Sequence, residues 1–227
     1  LDGGRGNSAD KLFGQGGDDK LIGRGGADLL RGHSGNDTLL GGFGSDTLVG
    51  GASDDKIYMQ NHDDFAVGAQ GNDVLYGQEG NDRLFGKAGD DRLDGGSNND
   101  NVRGGTGKDT VIGGNNADVL LGDELSVGDS ANDKLFGGLG SDVLYLTGGR
   151  DTVYGGPGSD DFVFLESGKP FIRDFRPGEG DRIEGVDSYS IVGNKDGIAI
   201  LAESNGEEGI IVIEGFSQQS FSDDWIV

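Results

Sequence analysis

The sequence predicts an all-β solenoid of short strands stacked in parallel sheets, and three observations carry that prediction. Aspartate recurs every nine residues at Asp10, Asp19, Asp28, Asp37, Asp46, Asp55, Asp64, Asp73, Asp82, Asp91, Asp100, Asp109 and Asp118. After one step of 15 residues the register resumes at Asp133, Asp142, Asp151 and Asp160. Two residues after each aspartate stands an apolar residue, from Leu12, Leu21 and Leu30 to Leu144, Val153 and Phe162, of which only Ala66 is small. Glycine, 48 of 227 residues, falls five and two positions before most of these aspartates. A fixed short period of this kind marks a repeat architecture.

Composition narrows the function classes. The apolar fraction is 33%, too low for a large conventional α/β enzyme domain. A net charge of −23 makes nucleic acid and anionic membranes poor partners, because both attract Lys and Arg. Cations are the natural partners. With no cysteine there are neither disulfides nor thiolate metal sites. No apolar run is long enough to span a membrane, and no basic segment followed by an apolar stretch opens the chain.

The repeating unit is G-G-x-G-x-D-x-U-x, with U large and apolar, as in Gly41-Gly42-Phe43-Gly44-Ser45-Asp46-Thr47-Leu48-Val49. It divides into a six-residue turn and a three-residue strand. Glycine permits the positive φ that a tight turn needs, and Asn98 and Asn116, at the fourth turn position, are the substitutes that tolerate it best. The middle strand residue points inward, so Leu12, Leu21, Leu30 and their successors form a narrow apolar core between two parallel sheets.

Two units complete one coil, which sorts the aspartates into two columns. One carries Asp10, Asp28, Asp46, Asp64, Asp82, Asp100, Asp118, Asp142 and Asp160; the other carries Asp19, Asp37, Asp55, Asp73, Asp91, Asp109, Asp133 and Asp151. Coils lie about 4.8 Å apart, well within the Debye length of about 10 Å at 0.1 M salt, so each column is a ladder of repelling carboxylates. Positive charge must sit between the rungs. Carboxylates and glycine-turn carbonyls are hard oxygen donors that suit Ca2+, whereas His33 and His62 are the only histidines, which disfavours zinc and copper.

On these residues the chain, over positions 1–163, resembles the RTX (repeats-in-toxin) family of hemolysin-type calcium-binding repeats. The resemblance implies a right-handed parallel β-roll in which each ion lies between equivalent turns of successive coils, held by aspartate side chains and turn carbonyls. Asp28 then pairs with Asp46 and Asp37 with Asp55. The implied metal ligands are Asp10, Asp19, Asp28, Asp37, Asp46, Asp55, Asp73, Asp82, Asp91, Asp100, Asp109, Asp118, Asp133, Asp142, Asp151 and Asp160. Turn glycines, among them Gly41, Gly44, Gly104, Gly107, Gly137 and Gly140, complete the set. Asp64 is left out because its unit, Met59 to Val67, lacks both glycines and has the small Ala66 inside; a bulge or a missing ion is expected there. His62 reads as an exposed turn residue, and the six extra residues are placed at Gly122–Val127 as a protruding loop.

After Asp160 the pattern changes. Asp161-Phe162-Val163-Phe164 and the run from Asp174 to Ile183 resemble the cap closing RTX modules of serralysin-type proteases, secreted lipases and mannuronan epimerases. Short β segments are expected at Ser190–Val192, Gly197–Ala202 and Gly209–Glu214, giving a small C-terminal β cap over 164–227. The final Asp224-Trp225-Ile226-Val227 resembles a signal read by type I secretion machinery. At the other end, Leu1-Asp2 reads as the close of a repeat already under way, so upstream coils or an effector domain are expected.

The function expected is a calcium-binding module of a secreted or cell-surface bacterial protein, whose calcium-induced folding supports export and stability outside the cell. There is no H-E-x-x-H, no G-x-S-x-G and no thiol nucleophile, so the segment itself is not expected to be an enzyme. Two alternatives remain open. The chain could be the tail of a protease, lipase or epimerase, or an adhesin or surface-layer module. In the latter case aromatic ninth-position residues, Phe13, Tyr58, Tyr76, Phe85, Phe136, Tyr145 and Tyr154, would meet a glycan or protein.

Overall fold

The structure is a computed structural model that describes residues 1–4, 6–124, 131–165, 170–185, 188–194, 197–204 and 207–213. The repeat generates strands in strict succession: β1 (Lys11–Gly16), β2 (Lys20–Gly25), β3 (Leu29–Ser34), β4 (Thr38–Phe43), β5 (Thr47–Ala52), β6 (Lys56–Asn61) and β7 (Phe65–Gln70). There follow β8 (Val74–Glu79), β9 (Arg83–Ala88), β10 (Arg92–Ser97), β11 (Asn101–Thr106), β12 (Thr110–Asn115), β13 (Val119–Asp123), β14 (Lys134–Leu139), β15 (Val143–Leu146) and β16 (Thr152–Tyr154). The chain goes on through β17 (Asp161–Phe164), β18 (Phe171–Ile172), β19 (Arg182–Glu184), β20 (Ser188–Asn194), β21 (Gly197–Ser204) and β22 (Glu207–Ile213).

Odd and even strands separate into two sheets. The ten-stranded sheet runs from β1 to β19 through the odd strands, and the twelve-stranded sheet runs from β2 to β18 through the even ones before taking on β22, β21 and β20. Pairing within the repeats is parallel and joins residues 18 apart, as in Leu30 with Leu48 and Leu39 with Ile57, except where β12 meets β14 and β13 meets β15. The parallel two-sheet solenoid expected from the nine-residue period is therefore present, two units to a coil.

Inward residues alternate with outward ones as the pleat requires. In β5 the buried positions are Leu48 and Gly50, with Thr47 and Val49 half-buried between them. Leu21, Leu30, Leu39, Leu48, Ile57, Leu75, Leu84 and Leu93 are fully buried in one continuous stack. Strands from β1 to β12 are six residues long, not three, because the ladder continues past the core residue into the turn: Gly42 pairs with Gln60 and Phe43 with Asn61. The connection proper shrinks to three residues such as Gly44-Ser45-Asp46.

Two expectations need correction. The Met59–Val67 unit contains no bulge, since β6 and β7 keep the register of their neighbours on both sides. Packing explains this: Ala66 and Met59 are both wholly buried, so Met59 adds apolar volume to the unit where Ala66 is short. The six extra residues also lie later than expected. Gly122 and Asp123 belong to β13, and the register step of 24, Val111 with Leu135 and Leu120 with Leu144, places the excess between Asp123 and Asp133. Positions 125–127 of the predicted loop lie outside the described residues.

Beyond residue 163 the sheets do not stop. β18 and β19 extend them by one more rung each. The three C-terminal strands, close to the β segments expected there, form an antiparallel meander with β22 laid parallel on β18. Phe162, Phe164, Ile172, Phe175 and Ile183 close the core at this end, with Phe162 and Phe175 edge to face at 5.9 Å. Such a cover is what a solenoid needs over its last layer. Asp224–Val227 lie outside the described residues.

Candidate metal centre

Turns from odd to even strands line one edge of the solenoid and carry Asp19, Asp37, Asp55, Asp73, Asp91, Asp109, Asp133 and Asp151; turns from even to odd strands line the other, with Asp28 to Asp160. Each ladder aspartate is pinned by its backbone. Its carbonyl accepts the N–H of the first strand residue one coil on, as in Thr38 to Asp19 at 2.8 Å and Thr47 to Asp28 at 2.8 Å. Its own N–H donates to the Oδ1 of the equivalent aspartate in the next coil: Asp19 to Asp37, 2.7 Å; Asp91 to Asp109, 2.8 Å; Asp28 to Asp46, 2.7 Å; Asp100 to Asp118, 2.8 Å. The step across the extra residues keeps the pattern, with Asp109 donating to Asp133 at 2.9 Å and Asp118 to Asp142 at 2.9 Å. Asp133 and Asp142 continue it to Asp151 and Asp160, both at 3.0 Å. Successive aspartates are thus joined by a side chain to backbone hydrogen bond. Asp10 begins its column half-buried, its N–H donating to Asp28 at 2.8 Å.

The second carboxylate oxygen is the chemically informative one. The Oδ2 atoms of Asp28, Asp46, Asp82, Asp100 and Asp118 on one edge, and of Asp37, Asp55, Asp73, Asp91 and Asp109 on the other, are buried and accept no hydrogen bond from the protein. A buried carboxylate oxygen left so is costly. Around Gly95 a Cβ would stand 2.5 Å from Asp100 Oδ2 and 2.7 Å from the Gly113 carbonyl; around Gly113, 2.5 Å from Asp118 Oδ2 and 2.6 Å from the Gly137 carbonyl. At these two positions glycine is required because oxygens from successive coils converge where a Cβ would stand. The carbonyls of Gly41 and Gly104 face Gly23 and Gly86 in the same way. Gly44, Gly107 and Gly140, the fourth-position glycines, have φ of 116°, 110° and 145°. Among the described residues no cluster of three or more acidic or histidine side chains forms; the donors come as one carboxylate oxygen with backbone carbonyls. A hard, oxygen-seeking cation fits this set.

Electrostatics point the same way. Burial, opposed by the backbone N–H bond and reinforced by neighbouring carboxylates, pushes Asp55 and Asp91 up to about 7 and Asp100 and Asp109 up to about 8. Burial and the bond opposing it set Asp142 at about 6. Without a countercharge, ionised rungs are unfavourable.

Several features escaped sequence reasoning. The fifth turn position builds a second, exposed ladder of opposite polarity: Asn36 N–H donates back to Asp18 Oδ1, Asp54 to Asn36, Asn72 to Asp54 and Asp90 to Asn72, at 2.7–3.1 Å. Its signal, Asp or Asn beside the invariant aspartate in many units, is present in the sequence. Non-glycine residues also hold positive φ at the second turn position, including Gln15, Arg24, His33 and Lys87, while Asn98 and Asn116 take φ of 79° at the fourth, as predicted. His62 is an exposed turn residue whose Nδ1 accepts the Gly44 N–H at 3.2 Å. In the cap, Asp181 Oδ1 accepts the Asp160 N–H at 3.1 Å, and Asp174 accepts from Gly155 and Gly156 at 2.9 and 3.0 Å. Arg176 donates through its guanidinium to the Gly156 carbonyl at 2.7 Å, and its backbone N–H donates to Asp181 Oδ2 at 2.6 Å.

A parallel solenoid with two edges of buried, oxygen-only turns is a cation-binding repeat module. Family comparison specifies the cation: the model of the RTX calcium-binding nonapeptide repeat matches residues 5–39, 31–58, 60–93, 94–124 and 127–162, and the chain belongs to that family. A comparison with curated protein sequences finds no match. Among solved structures the chain is similar to the solution structure of the AlgE6R3 subunit from the Azotobacter vinelandii mannuronan C5-epimerase. Identity is 22%, over 78% of this chain and 80% of that one, with a TM-score of 0.27.

Proposed function

We propose that the chain is a calcium-dependent folding module of an exported protein, with the paired ladder aspartates and first-position glycine carbonyls as its ligands. The buried Oδ2 atoms that accept no protein hydrogen bond carry this reading. At low calcium the two carboxylate columns oppose folding; at the higher calcium outside a cell, ions between the rungs stabilise the folded state by mass action. A chain that stays unfolded inside and folds outside suits passage through a type I secretion channel, with Asp224–Val227 as the signal.

Far-UV circular dichroism tests the reading. Calcium raised from micromolar to about 10 mM, the upper range of extracellular module affinities, is expected to give a cooperative coil-to-β transition that magnesium does not reproduce. Full β structure in chelator at neutral pH would sink it.

One observation favours a second role for the outer face of the even sheet. Tyr58 and Tyr76 stack at 5.2 Å, and Phe136 and Tyr154 at 5.1 Å. The register also aligns Lys20, Lys56, Arg92 and Lys134 on every second strand of the same face. Phe13, Phe85 and Tyr145 lie on odd strands, so the predicted stripe is divided between two faces. A glycan is the partner that aromatic platforms and cations serve together. Binding on a glycan array is expected to fall with Tyr58→Ala and Tyr76→Ala and to survive Tyr145→Ala; silence across the array with the intact chain removes this role.

A further inference from the structure

Glycine opens nearly every turn, and two turns depart from this in one way. The register sets Met59 where Gly41 and Gly77 stand in the adjoining coils, and Leu146 where Gly122 stands. Both side chains are wholly buried and belong to the apolar core. At Gly41 itself, a Cβ would stand 2.5 Å from Asp46 Oδ2 and 2.7 Å from the Met59 carbonyl. That is the place where a carboxylate from the turn and a carbonyl from the next coil converge. In the turns of Asp64 and Asp151 the equivalent residue carries a buried apolar side chain, although Asp64 Oδ2, like its neighbours, is buried and accepts no protein hydrogen bond.

We propose that Met59 and Leu146 decide ion occupancy: each fills its own turn with an apolar side chain, so that the turns of Asp64 and Asp151 hold no calcium. The inference rests on the ladder reading above and deepens it. A hard cation needs its whole oxygen shell, and a thioether is a soft donor that cannot replace a displaced oxygen. Hydrogen bonding does not need the ion. Asp64 Oδ1 still accepts the Asp46 N–H, at 2.6 Å, and its own N–H donates to Asp82 at 2.8 Å. Mechanical continuity is kept while the ionic ladder is interrupted, so one edge is divided between Asp46 and Asp82 and the other ends before Asp151. Asp151, a ligand by its place in the repeat, becomes a rung joined only through hydrogen bonds.

Bound calcium per chain, measured by native mass spectrometry and by equilibrium dialysis at saturating calcium, tests this with the full chain. Asp64→Asn is expected to leave the count of the otherwise unchanged protein as it was, whereas Asp82→Asn lowers it. Met59→Gly is expected to raise the count by one ion, and Asp64→Asn added to Met59→Gly to remove that ion again; Leu146→Gly should also gain one. A count lowered by Asp64→Asn alone, or unchanged by Met59→Gly in a folded chain, overturns the proposal. The Asp64→Asn arm stands even if the glycine variants fail to fold, because it leaves the core intact. A chain that binds no calcium at all overturns the ladder reading and this inference with it, an outcome distinct from normal binding with the wrong count.

Discussion

In chelator, acidification from about pH 8 to about pH 4 is expected to restore β structure to the unfolded chain, with protons doing part of what calcium does. The argument is one of linkage. Burial, the largest cause, raises the folded-state pKa to about 6 for Asp46, Asp73 and Asp82, to about 7 for Asp55, Asp91, Asp118 and Asp160, and to about 8 for Asp100, Asp109 and Asp151. The ordinary carboxylate value is 3.8. A group raised on folding takes up a proton as the chain folds, so its contribution is fully favourable below about 3.8 and is lost as pH climbs through 6 to 8. With part of the stabilisation already supplied by protons, less calcium is needed, and the calcium midpoint for folding should be lower at about pH 6 than at about pH 8. Circular dichroism at low protein concentration checks both arms. A chelated chain equally disordered at acid and neutral pH would show that the buried rungs do not govern folding.

The nine-residue period made most of this architecture legible, because each unit repeats one solution to the same local problem. Leu30 and Leu39 had to face inward once the strand between two turns was short, and the alternation of coils followed from stacking. The period could not reveal which part of the turn belongs to the ladder. That depends on backbone hydrogen bonds such as Gly26 N–H to Phe43 carbonyl, 2.8 Å, which leave no mark on side-chain identity. The bulge expected around Met59 is absent for a related reason. Missing glycines looked like a local defect, whereas in three dimensions the side chain lies against the core and preserves the register. The extra residues were placed too early because Asp123 breaks the glycine pattern, although Gly122 still keeps the first turn position beside the Asp133 carboxylate. Asp174 and Asp181 were visible as a motif, but that Asp181 serves as the next rung, held by the Arg176 backbone N–H, needed the folded cap.

Replacing two consecutive rungs is expected to separate hydrogen bonding from ionic binding. Asp91 and Asp109 lie mid-ladder, both about 2% exposed. Asp91 Oδ1 accepts the Asp73 N–H at 2.7 Å, and Asp109 Oδ1 accepts the Asp91 N–H at 2.8 Å. Asp91→Ala with Asp109→Ala removes two ligands and strands two buried N–H groups, each costing about 1–3 kcal/mol. The calcium midpoint should rise at least about tenfold, equivalent to about 1.4 kcal/mol. Asp91→Asn with Asp109→Asn keeps the accepting oxygen and deletes only the charge. At position 91 the new amide N–H can donate to the Gly104 carbonyl, which converges with Asp91 Oδ2 beside Gly86. The asparagine pair should therefore gain β structure in chelator, where mutual repulsion is relieved, yet still need more calcium than the unchanged chain to reach full folding. That opposition is the signature of carboxylates that oppose the fold alone and hold it together around a cation. A calcium midpoint unmoved by either pair would assign binding elsewhere, whereas a rise with alanine and none with asparagine would reduce the ladder to its hydrogen bonds.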